Sequence, residues 1–352
     1  MLLDAVHRFA QRELRPHLQQ ADKAGALPET TTRSGWELGL LSASLPEEFG
    51  GFGARSAVTG VLAAEELAWG DLAGALALLA PNLVALPVLL RGSAEQKQEL
   101  LPRFAGETYR PGSAALMEPR YDFDAAALET RAVRRDGKYA LSGVKSNVPY
   151  AAESDWMLVY AALDGRTQAF LVQKGTAGLV VCDRERNMGL NALPLYAVEL
   201  RDCLVPATQR LGGEDGADVS VLLDASRVAW AALAIGLGRA AYEYALDYAK
   251  NRKAFGEAIA RRQAIAFMLA EMATELEGAR LLVWEAAWLL DQGREAGREA
   301  YLARNLADDM ALMVADRAVQ ILGGHGYICD YPVELWLRNA RAFGVLEGLA
   351  IV

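Results

Sequence analysis

The feature that most constrains this 352-residue chain is the order in which its local sequence patterns change. Residues 1–112 carry helical signals, residues 113–218 consist of short β-prone runs separated by turns, and residues 219–352 return to long helical periods. This order of helices, β unit and helical bundle is uncommon, and the chain is longer than one core usually supports. We therefore predict three domains with these boundaries, in a mainly α fold with a β insert.

One stretch of the N-terminal part resembles a membrane span in its length and lack of charge. Residues 72–90 carry no charge and approach the length that crosses a bilayer. Pro81 and Pro87 interrupt the stretch, however, and proline breaks helices. Two short core helices are therefore the favoured prediction. Just beyond, Ser93 and Gln96 have the spacing of a capping box, which predicts a helix that begins there.

The middle and C-terminal parts differ in their periodicity. Asp136-Gly137 and Asp164-Gly165 each separate two β-prone runs, as tight hairpin turns require. Six or more such runs predict a small antiparallel barrel or sandwich. After residue 219, helices are expected at about 219–251, 258–291 and 296–322, and their many apolar positions favour a long helical bundle in which some faces pack against another subunit.

Charge and cysteine content exclude several classes of protein. The net charge is −9, and the 36 basic and 45 acidic residues are distributed without long blocks. A nucleic-acid partner is therefore not expected, because it requires a clustered basic surface. Three cysteines and three histidines show no metal-ligand spacing. The first residues lack the apolar core of a signal peptide, so we expect a cytoplasmic protein.

Five sequence blocks, in order along nearly the whole chain, together resemble the acyl-CoA dehydrogenase family. They are GLLSASLPEEFGGFG (39–53), ALMEP (115–119), YAKNRKAFG (248–256), QILGGHGYICDYPVE (320–334) and VLEG (345–348). The resemblance implies helical, β and four-helix-bundle domains, bound FAD, an acyl-CoA substrate and a role in lipid metabolism. It also implies an electron-transfer flavoprotein as acceptor and a dimer of dimers, either a homotetramer or a mixed oligomer.

Two of these blocks suit a dinucleotide. The guanidinium of Arg252 can bond two diphosphate oxygens at once, and Gly323-Gly324 lets backbone N–H groups approach a ligand. Taken alone, the first block is equally a charged helix end before a glycine stop, and the second a helix terminus. In the family the arginine reaches the flavin diphosphate of the neighbouring subunit. The cofactor residues implied by the resemblance are Arg252, Phe255, Gln263, Gln320, Gly323, Gly324 and Met117.

Glu347 matches the position of the family's catalytic base. That base takes an α-proton from the thioester while a hydride leaves the β-carbon for flavin N5. Apolar neighbours and an acyl chain that expels water would strengthen the carboxylate as a base, and its own N–H could bond the thioester oxygen. The alternative is an ordinary surface glutamate. Leu346 and Gly348 are expected to line the substrate. Asp224 and Arg227 are also candidates, although Arg227 suits an intersubunit salt bridge equally well.

Several ring-facing positions depart from the family pattern. Met117 and Pro149 stand where hydroxyl side chains are usual, and Asn147 stands where tryptophan is usual. The tyrosine before the base is Leu346, and the family continues through one more helix where this chain ends five residues after Glu347. A position that carries the base in some members is Ser226 here. The departures leave two alternatives to a dehydrogenase: a half-site partner subunit of a mixed oligomer, or a flavin monooxygenase or oxidase, which Glu347 argues against.

Overall fold

The computed structural model describes residues 2–352 and begins with a layer of seven helices. Leu41, Leu67, Leu76 and Leu101 lie in its buried core. The Ser93 capping box forms as predicted, since Ser93 Oγ accepts from the N–H of Gln96 while the Gln96 side chain accepts from the N–H of Ser93. The helices are α1 (Leu2–Phe9), α2 (Leu18–Ala24), α3 (Glu29–Trp36), α4 (Ala57–Gly70), α5 (Leu72–Leu79), α6 (Asn82–Arg91) and α7 (Ala94–Ala105).

The uncharged stretch forms two short core helices, as predicted. Asp71 caps α5 by accepting from the N–H of Gly74 at 2.7 Å, and Pro81 precedes α6. The two helices are bent by 47° and consist almost entirely of buried residues. By length and composition one other helix, Ser220–Asn251, could cross a membrane, but 78% of its most apolar window is buried inside the protein.

The middle of the chain forms one seven-stranded sheet. The Asp136-Gly137 and Asp164-Gly165 hairpins form as predicted, and all four residues have positive φ. The predicted antiparallel arrangement needs one correction, because β1 and β2 each run parallel to β4 and the sheet is mixed. The strands are β1 (Ser113–Ala115), β2 (Arg131–Arg135), β3 (Lys138–Pro149), β4 (Trp156–Leu163), β5 (Arg166–Gln173), β6 (Leu179–Arg184) and β7 (Leu195–Pro206).

The C-terminal part is a bundle built around one long central helix. Its 32 residues carry a continuous run of buried side chains, from Val228 to Gly238, and pack on α4 of the first helical layer and on the two other long helices. The second long helix begins at Gln263 rather than near 258, because a two-stranded hairpin and a 3-10 turn occupy residues 253–261. The elements are α8 (Ser220–Asn251), β8 (Lys253–Ala254), β9 (Glu257–Ala258), α9 (Gln263–Asp291), α10 (Gly297–Leu322), α11 (Gly324–Tyr327) and α12 (Val333–Ala340).

A buried carboxylate joins the first helical layer to the bundle. Glu65 of α4 is 3% exposed and contacts Arg239 of α8 at 2.6 Å and Arg280 of α9 at 2.8 Å. A carboxylate at this depth needs charged partners, since an unpaired one would be strongly unfavourable. The ion pairs therefore fix the relative placement of α4, α8 and α9.

A second buried ion pair supports the segment that carries Met117. The Lys145 ammonium donates to Glu118 at 3.0 Å and to the carbonyl of Leu116 at 2.9 Å, and both side chains are at most 3% exposed. Glu118 also accepts from the backbone N–H groups of Glu129 and Thr130, each at 2.8 Å. These bonds hold residues 116–118 against β3.

We expect Glu118→Ala to lower the free energy of unfolding by roughly 3–5 kcal/mol, because it leaves the Lys145 ammonium buried without its partner. Urea unfolding measures the change. Glu129→Ala is the matched control: its carboxylate is 75% exposed and, among residues 2–352, pairs only with Arg120, so a change within about 0.5 kcal/mol is expected. Equal changes in both variants would contradict this account of the pair.

Candidate active site

Glu347 lies in a turn that is anchored to α8 and faces two arginines. Trp230 of α8 packs on Phe343 and donates to its carbonyl at 3.3 Å, which fixes the chain four residues before the glutamate. Glu347 Oε1 is 2.9 Å from Nη1 of Arg304 on α10 and 3.7 Å from Nε of Arg227 on α8. The Glu347 carboxylate is 16% exposed. The residue is therefore half-buried and charge-paired, and it does not point freely into solvent.

The residue after the glutamate is packed against the β1 strand end. Gly348 has φ +77°, and a Cβ placed on it would lie 2.8 Å from Cδ2 and 3.0 Å from Cβ of Leu116. Only glycine combines that backbone conformation with such a close approach. Gly348 therefore determines how near the Glu347 turn sits to the segment that carries Met117.

Gly348→Ala is expected to reduce the stability of the fold by roughly 1–3 kcal/mol, from left-handed backbone strain and the Leu116 clash. Gly344→Ala is its control in the same segment, since a Cβ there meets nothing within 4 Å. Urea unfolding of both variants measures the difference. If the two substitutions prove equally mild, the close approach at Gly348 is not a constraint.

Met117 meets Glu347 directly. The N–H of Glu347 donates to Met117 Sδ at 3.1 Å, and the carbonyl of Met117 accepts from the N–H of Ser146 at 3.0 Å. The two ring-facing segments implied by the resemblance therefore lie side by side, next to the predicted base. The N–H that was expected to bond a thioester oxygen is bound to sulfur here.

The other ring-facing residues supply no hydroxyl group. Asn147 has φ +52°; its N–H donates to Glu185 at 2.7 Å and its side-chain oxygen accepts from Asn187 at 2.9 Å. Pro149 is buried, and its carbonyl accepts from Ser113 Oγ at 2.7 Å. Contacts from this side to a planar ligand would come from backbone groups and apolar atoms.

A small apolar cavity adjoins Gly348. Its volume is about 10 Å³, and it is lined by Leu83, Pro87, Leu116, Tyr160, Leu222 and Ile351, among others. A volume of this size holds at most about one water molecule. A larger ligand can enter only if the neighbouring side chains, including those of residues 350 and 351, move.

The predicted diphosphate-binding residues form a separate, outward-facing group. Phe255 has φ +54° and is 94% exposed, and Arg252, Gln263 and Gln320 are exposed as well. Among residues 2–352, the Arg252 guanidinium has no ion-pair or hydrogen-bond partner. A Cβ on Gly323 or Gly324 would meet nothing within 4 Å, so their backbone is open to a ligand.

The Glu347 site and the predicted diphosphate-binding residues lie at opposite ends of α8. Arg227 is near the start of α8 and Arg252 caps its end. At about 1.5 Å per residue, the stretch of helix between them is roughly 37 Å long. Asp224 and Arg227 lie at the Glu347 end of the helix, where Arg227 Nη1 is 3.2 Å from Asp224 Oδ1. The structure therefore brings together Glu347, Leu346, Gly348, Met117, Asp224 and Arg227, and it places the predicted diphosphate residues away from them.

Sequence reasoning missed two residues at the glutamate. Arg304 contacts Glu347, and its Nε lies 3.4 Å from Oδ2 of Asp308 one turn along α10. Burial raises the pKa of Asp308 to about 7, against the opposing effect of Arg304. The spacing of four residues marks them as neighbours on a helix, but nothing in the sequence shows that residue 347 folds back onto them.

Asp308 predicts a pH dependence of stability. Its carboxyl has a pKa of about 7 in the fold and about 4 when unfolded, so its ionisation between these values destabilises the folded state. The wild type should therefore lose stability relative to Asp308→Asn as the pH rises from about 4 to about 7. Urea unfolding across this range tests it, and a stability difference independent of pH would contradict it.

A larger cavity lies elsewhere. It has a volume of about 750 Å³ and lies between residues 22–25 and 183–195. Two of its charged groups are already engaged: Arg184 donates to the carbonyl of Gly25 at 2.8 Å, and Asp22 pairs with Arg338 at 2.9 Å. These bonds tie loops together. The cavity borders the site through Glu185 and Asn187, which hold Asn147.

The fold and site define a class: helical, β and helical domains in order, with a half-buried carboxylate beside the β domain and an open cationic group at the far end of the bundle. Family models agree. Acyl-CoA dehydrogenase N-terminal, middle and C-terminal domains match residues 1–108, 113–203 and 216–350. The chain belongs to the acyl-CoA dehydrogenase family, whose members are oxidoreductases.

Individual relatives give the same result. An acyl-CoA dehydrogenase of Bacillus subtilis is 36% identical over 356 residues, 99% of this chain and 93% of the relative. The mitochondrial short-chain specific acyl-CoA dehydrogenase of Sus scrofa is 36% identical over 358 residues, 99% of this chain and 86% of the relative. Butyryl-CoA dehydrogenase from Megasphaera elsdenii superposes with a TM-score of 0.89 at 31% identity, covering 99% of this chain and 94% of that structure.

Proposed function

We propose that this protein is an FAD-dependent dehydrogenase that introduces an α,β double bond into an acyl-CoA thioester, with Glu347 as the base. The observation that carries the proposal is the Glu347 carboxylate, half-buried beside Met117 and an apolar cavity, in a member of this family. A carboxylate is a weak base in water, and exclusion of water by an acyl chain strengthens it. An electron-transfer flavoprotein is the proposed acceptor.

Each residue at the site has its own role in the proposed reaction. Glu347 takes the α-proton, and Arg227 and Arg304 set the direction of its carboxylate. Gly348 and buried Leu346 form the wall next to the reacting carbons. FAD, when bound, supplies the hydride acceptor. The Glu347 N–H can donate to the thioester oxygen only after its hydrogen bond to Met117 Sδ breaks. The new bond favours loss of the α-proton.

The acyl group that fits this site is short and apolar. Leu83, Pro87, Leu222 and Tyr160 close the cavity around its small volume. An acyl chain must displace residues 350 and 351 to enter, and a longer chain must displace more of this wall. The expected preference is therefore for butyryl-CoA over long-chain thioesters.

The cofactor is proposed to lie between two subunits. Arg252 has an unpaired guanidinium, Phe255 an exposed ring and Gly323-Gly324 an open backbone, and together these fit a diphosphate and the adenosine half of FAD. They lie too far along α8 from Glu347 to share one cofactor with it. A second chain that presents this group to the first chain's Met117 would complete the site, which requires at least a dimer.

Flavin reduction tests the reaction. We expect the purified holoenzyme to show a flavin spectrum that bleaches when butyryl-CoA is added without oxygen. Glu347→Gln keeps the size of the side chain and removes the base, so the bleaching rate should fall by at least roughly 1,000-fold while thioester binding persists. Glu107→Gln, an exposed glutamate in a loop, is the control. Bleaching of Glu347→Gln at the wild-type rate would refute the base.

Complementation tests the shared site. Chains with Glu347→Gln and chains with Arg252→Met are each expected to be inactive alone. When the two are co-expressed, a mixed dimer has one site with neither substitution, because that site takes Glu347 from one chain and Arg252 from the other. Recovery of activity in the mixture is therefore predicted. A mixture as inactive as its parents would place both residues in one chain's site.

A half-site partner subunit is the second candidate. The absence of hydroxyl side chains at Met117 and Pro149, and the engagement of the Glu347 N–H by sulfur, favour it specifically. The diphosphate-binding group would then serve a different chain. A colourless protein that acquires flavin only with a second, different chain would support this candidate over the dehydrogenase.

A further inference from the structure

One arginine holds both the side chain and the backbone at the proposed base. Arg304 Nη1 contacts Glu347 Oε1 at 2.9 Å, and its Nη2 donates to the carbonyl of Leu346 at 3.3 Å. A guanidinium presents its donors in a rigid plane, so two bonds to adjacent residues fix an orientation better than one bond can. Because Arg304 is 16% exposed on α10, solvent weakens these bonds little.

The same arginine has a second carboxylate within reach. Its Nε lies 3.4 Å from Oδ2 of Asp308, and Asp308 Oδ1 is buried without a hydrogen-bond partner among residues 2–352. Buried polar atoms normally have partners, so an unpaired carboxylate oxygen beside a guanidinium is unusual. Asp308 can therefore accept an additional bond from Arg304 without losing one of its own.

The other arginine at Glu347 is arranged differently. Arg227 Nε is 3.7 Å from Glu347 Oε1 and makes no hydrogen bond within the described residues 2–352, whereas its Nη1 pairs with Asp224 at 3.2 Å. Arg227 therefore has its own carboxylate partner whatever the charge on Glu347. Arg304 instead makes its closer ion pair with Glu347, at 2.9 Å, and its pair with Asp308 is longer, at 3.4 Å.

The chemistry changes the charge on one of these groups. When the α-carbon to hydrogen bond of a thioester breaks, the proton forms an O–H bond on Glu347 and the electron pair remains on the substrate. Glu347 becomes neutral, and a buried guanidinium without an anionic partner is strongly unfavourable. Asp308, already 3.4 Å from Arg304, is then its remaining anionic partner.

This inference rests on the proposed function: we propose that Arg304 is the positioning residue of Glu347. When Glu347 takes up the α-proton, Arg304 passes its charge pairing to Asp308. Above the Asp308 pKa of about 7, Asp308 is a carboxylate and Arg304 is protonated, so the only proton that moves is the one from the substrate. The shift needs a small movement of one guanidinium between two carboxylates it already contacts.

Proton exchange without turnover provides the test. The holoenzyme is mixed with 3-thiabutyryl-CoA in D₂O; this thioester has α-protons, but sulfur replaces its β-carbon, so no hydride can leave. Deuterium uptake is followed by mass spectrometry and thioester affinity by calorimetry. Arg304→Gln should slow exchange at saturation by between roughly ten- and a hundredfold, while the affinity changes less than about threefold.

Conservative and control variants separate positioning from structure. Arg304→Lys should recover part of the rate, because an ammonium can pair with Glu347 but cannot also form the planar bond to the Leu346 carbonyl. Arg298→Gln removes the same charge from an 82% exposed position of α10 and should exchange at the wild-type rate. Asp308→Asn should slow exchange, and combined with Arg304→Gln it should add no further loss.

Each outcome has one meaning. If Glu347→Gln abolishes exchange while Arg304→Gln exchanges as fast as wild type or faster, Arg304 only stabilises the carboxylate and the inference is wrong. If Glu347→Gln still exchanges, the proposed function fails instead. Should Arg304→Gln not fold, Arg304→Lys and Asp308→Asn decide: wild-type rates in both overturn the proposal.

Discussion

The length and rigidity of α8 impose the arrangement on which the rest of the site depends. One unbroken helix of 32 residues carries Arg227 near its start, beside the candidate base, and ends at the candidate diphosphate group. The helix packs on α4, α9 and α10, and the ion pairs of buried Glu65 hold it in place. These contacts keep its two ends apart. The exposure of Phe255 and of the unpaired Arg252 follows from this constraint, and so does the proposal that a second chain completes the cofactor site.

At the other end of the helix, electrostatics dominate. Glu347 has two guanidinium groups near one oxygen, and Arg304 is shared with Asp308, whose pKa burial raises to about 7. Under the proposal, Arg304 keeps the Glu347 carboxylate oriented and turns to Asp308 only when Glu347 takes up the α-proton. An acyl chain that enters the small cavity would displace residues 350 and 351 and change the surroundings of the carboxylate at the same time. Binding and activation of the base are thereby coupled.

Much of the fold could be predicted from local sequence, because local signals determine it. The Ser93 capping box, the Asp136-Gly137 and Asp164-Gly165 turns and the proline break at residue 81 all act within a few residues. The parallel pairing of β1 and β2 with β4 was not predictable in this way, because it joins strands far apart in sequence. The start of α9 was missed because β8 and β9 together occupy only four residues.

The residues of the site likewise differ in whether the sequence alone could identify them. Glu347 and Met117 are found from ordered motifs and Arg227 from its place next to Ser226, the base position of some family members, and the structure places the three together. Arg304 and Asp308 belong to no motif, and their role arises only from the fold of residues 341–348 onto α10. The bond from the Glu347 N–H to Met117 Sδ is likewise a tertiary contact between residues far apart in the chain.

A crystal structure with FAD and 3-thiabutyryl-CoA bound tests the central claim most directly. The account predicts the Glu347 carboxylate within about 3.5 Å of the thioester α-carbon, opposite the flavin ring, with Arg252 of a second chain on the diphosphate of that same flavin. A thioester bound elsewhere, or a Glu347 carboxylate turned away from the α-carbon, would contradict it.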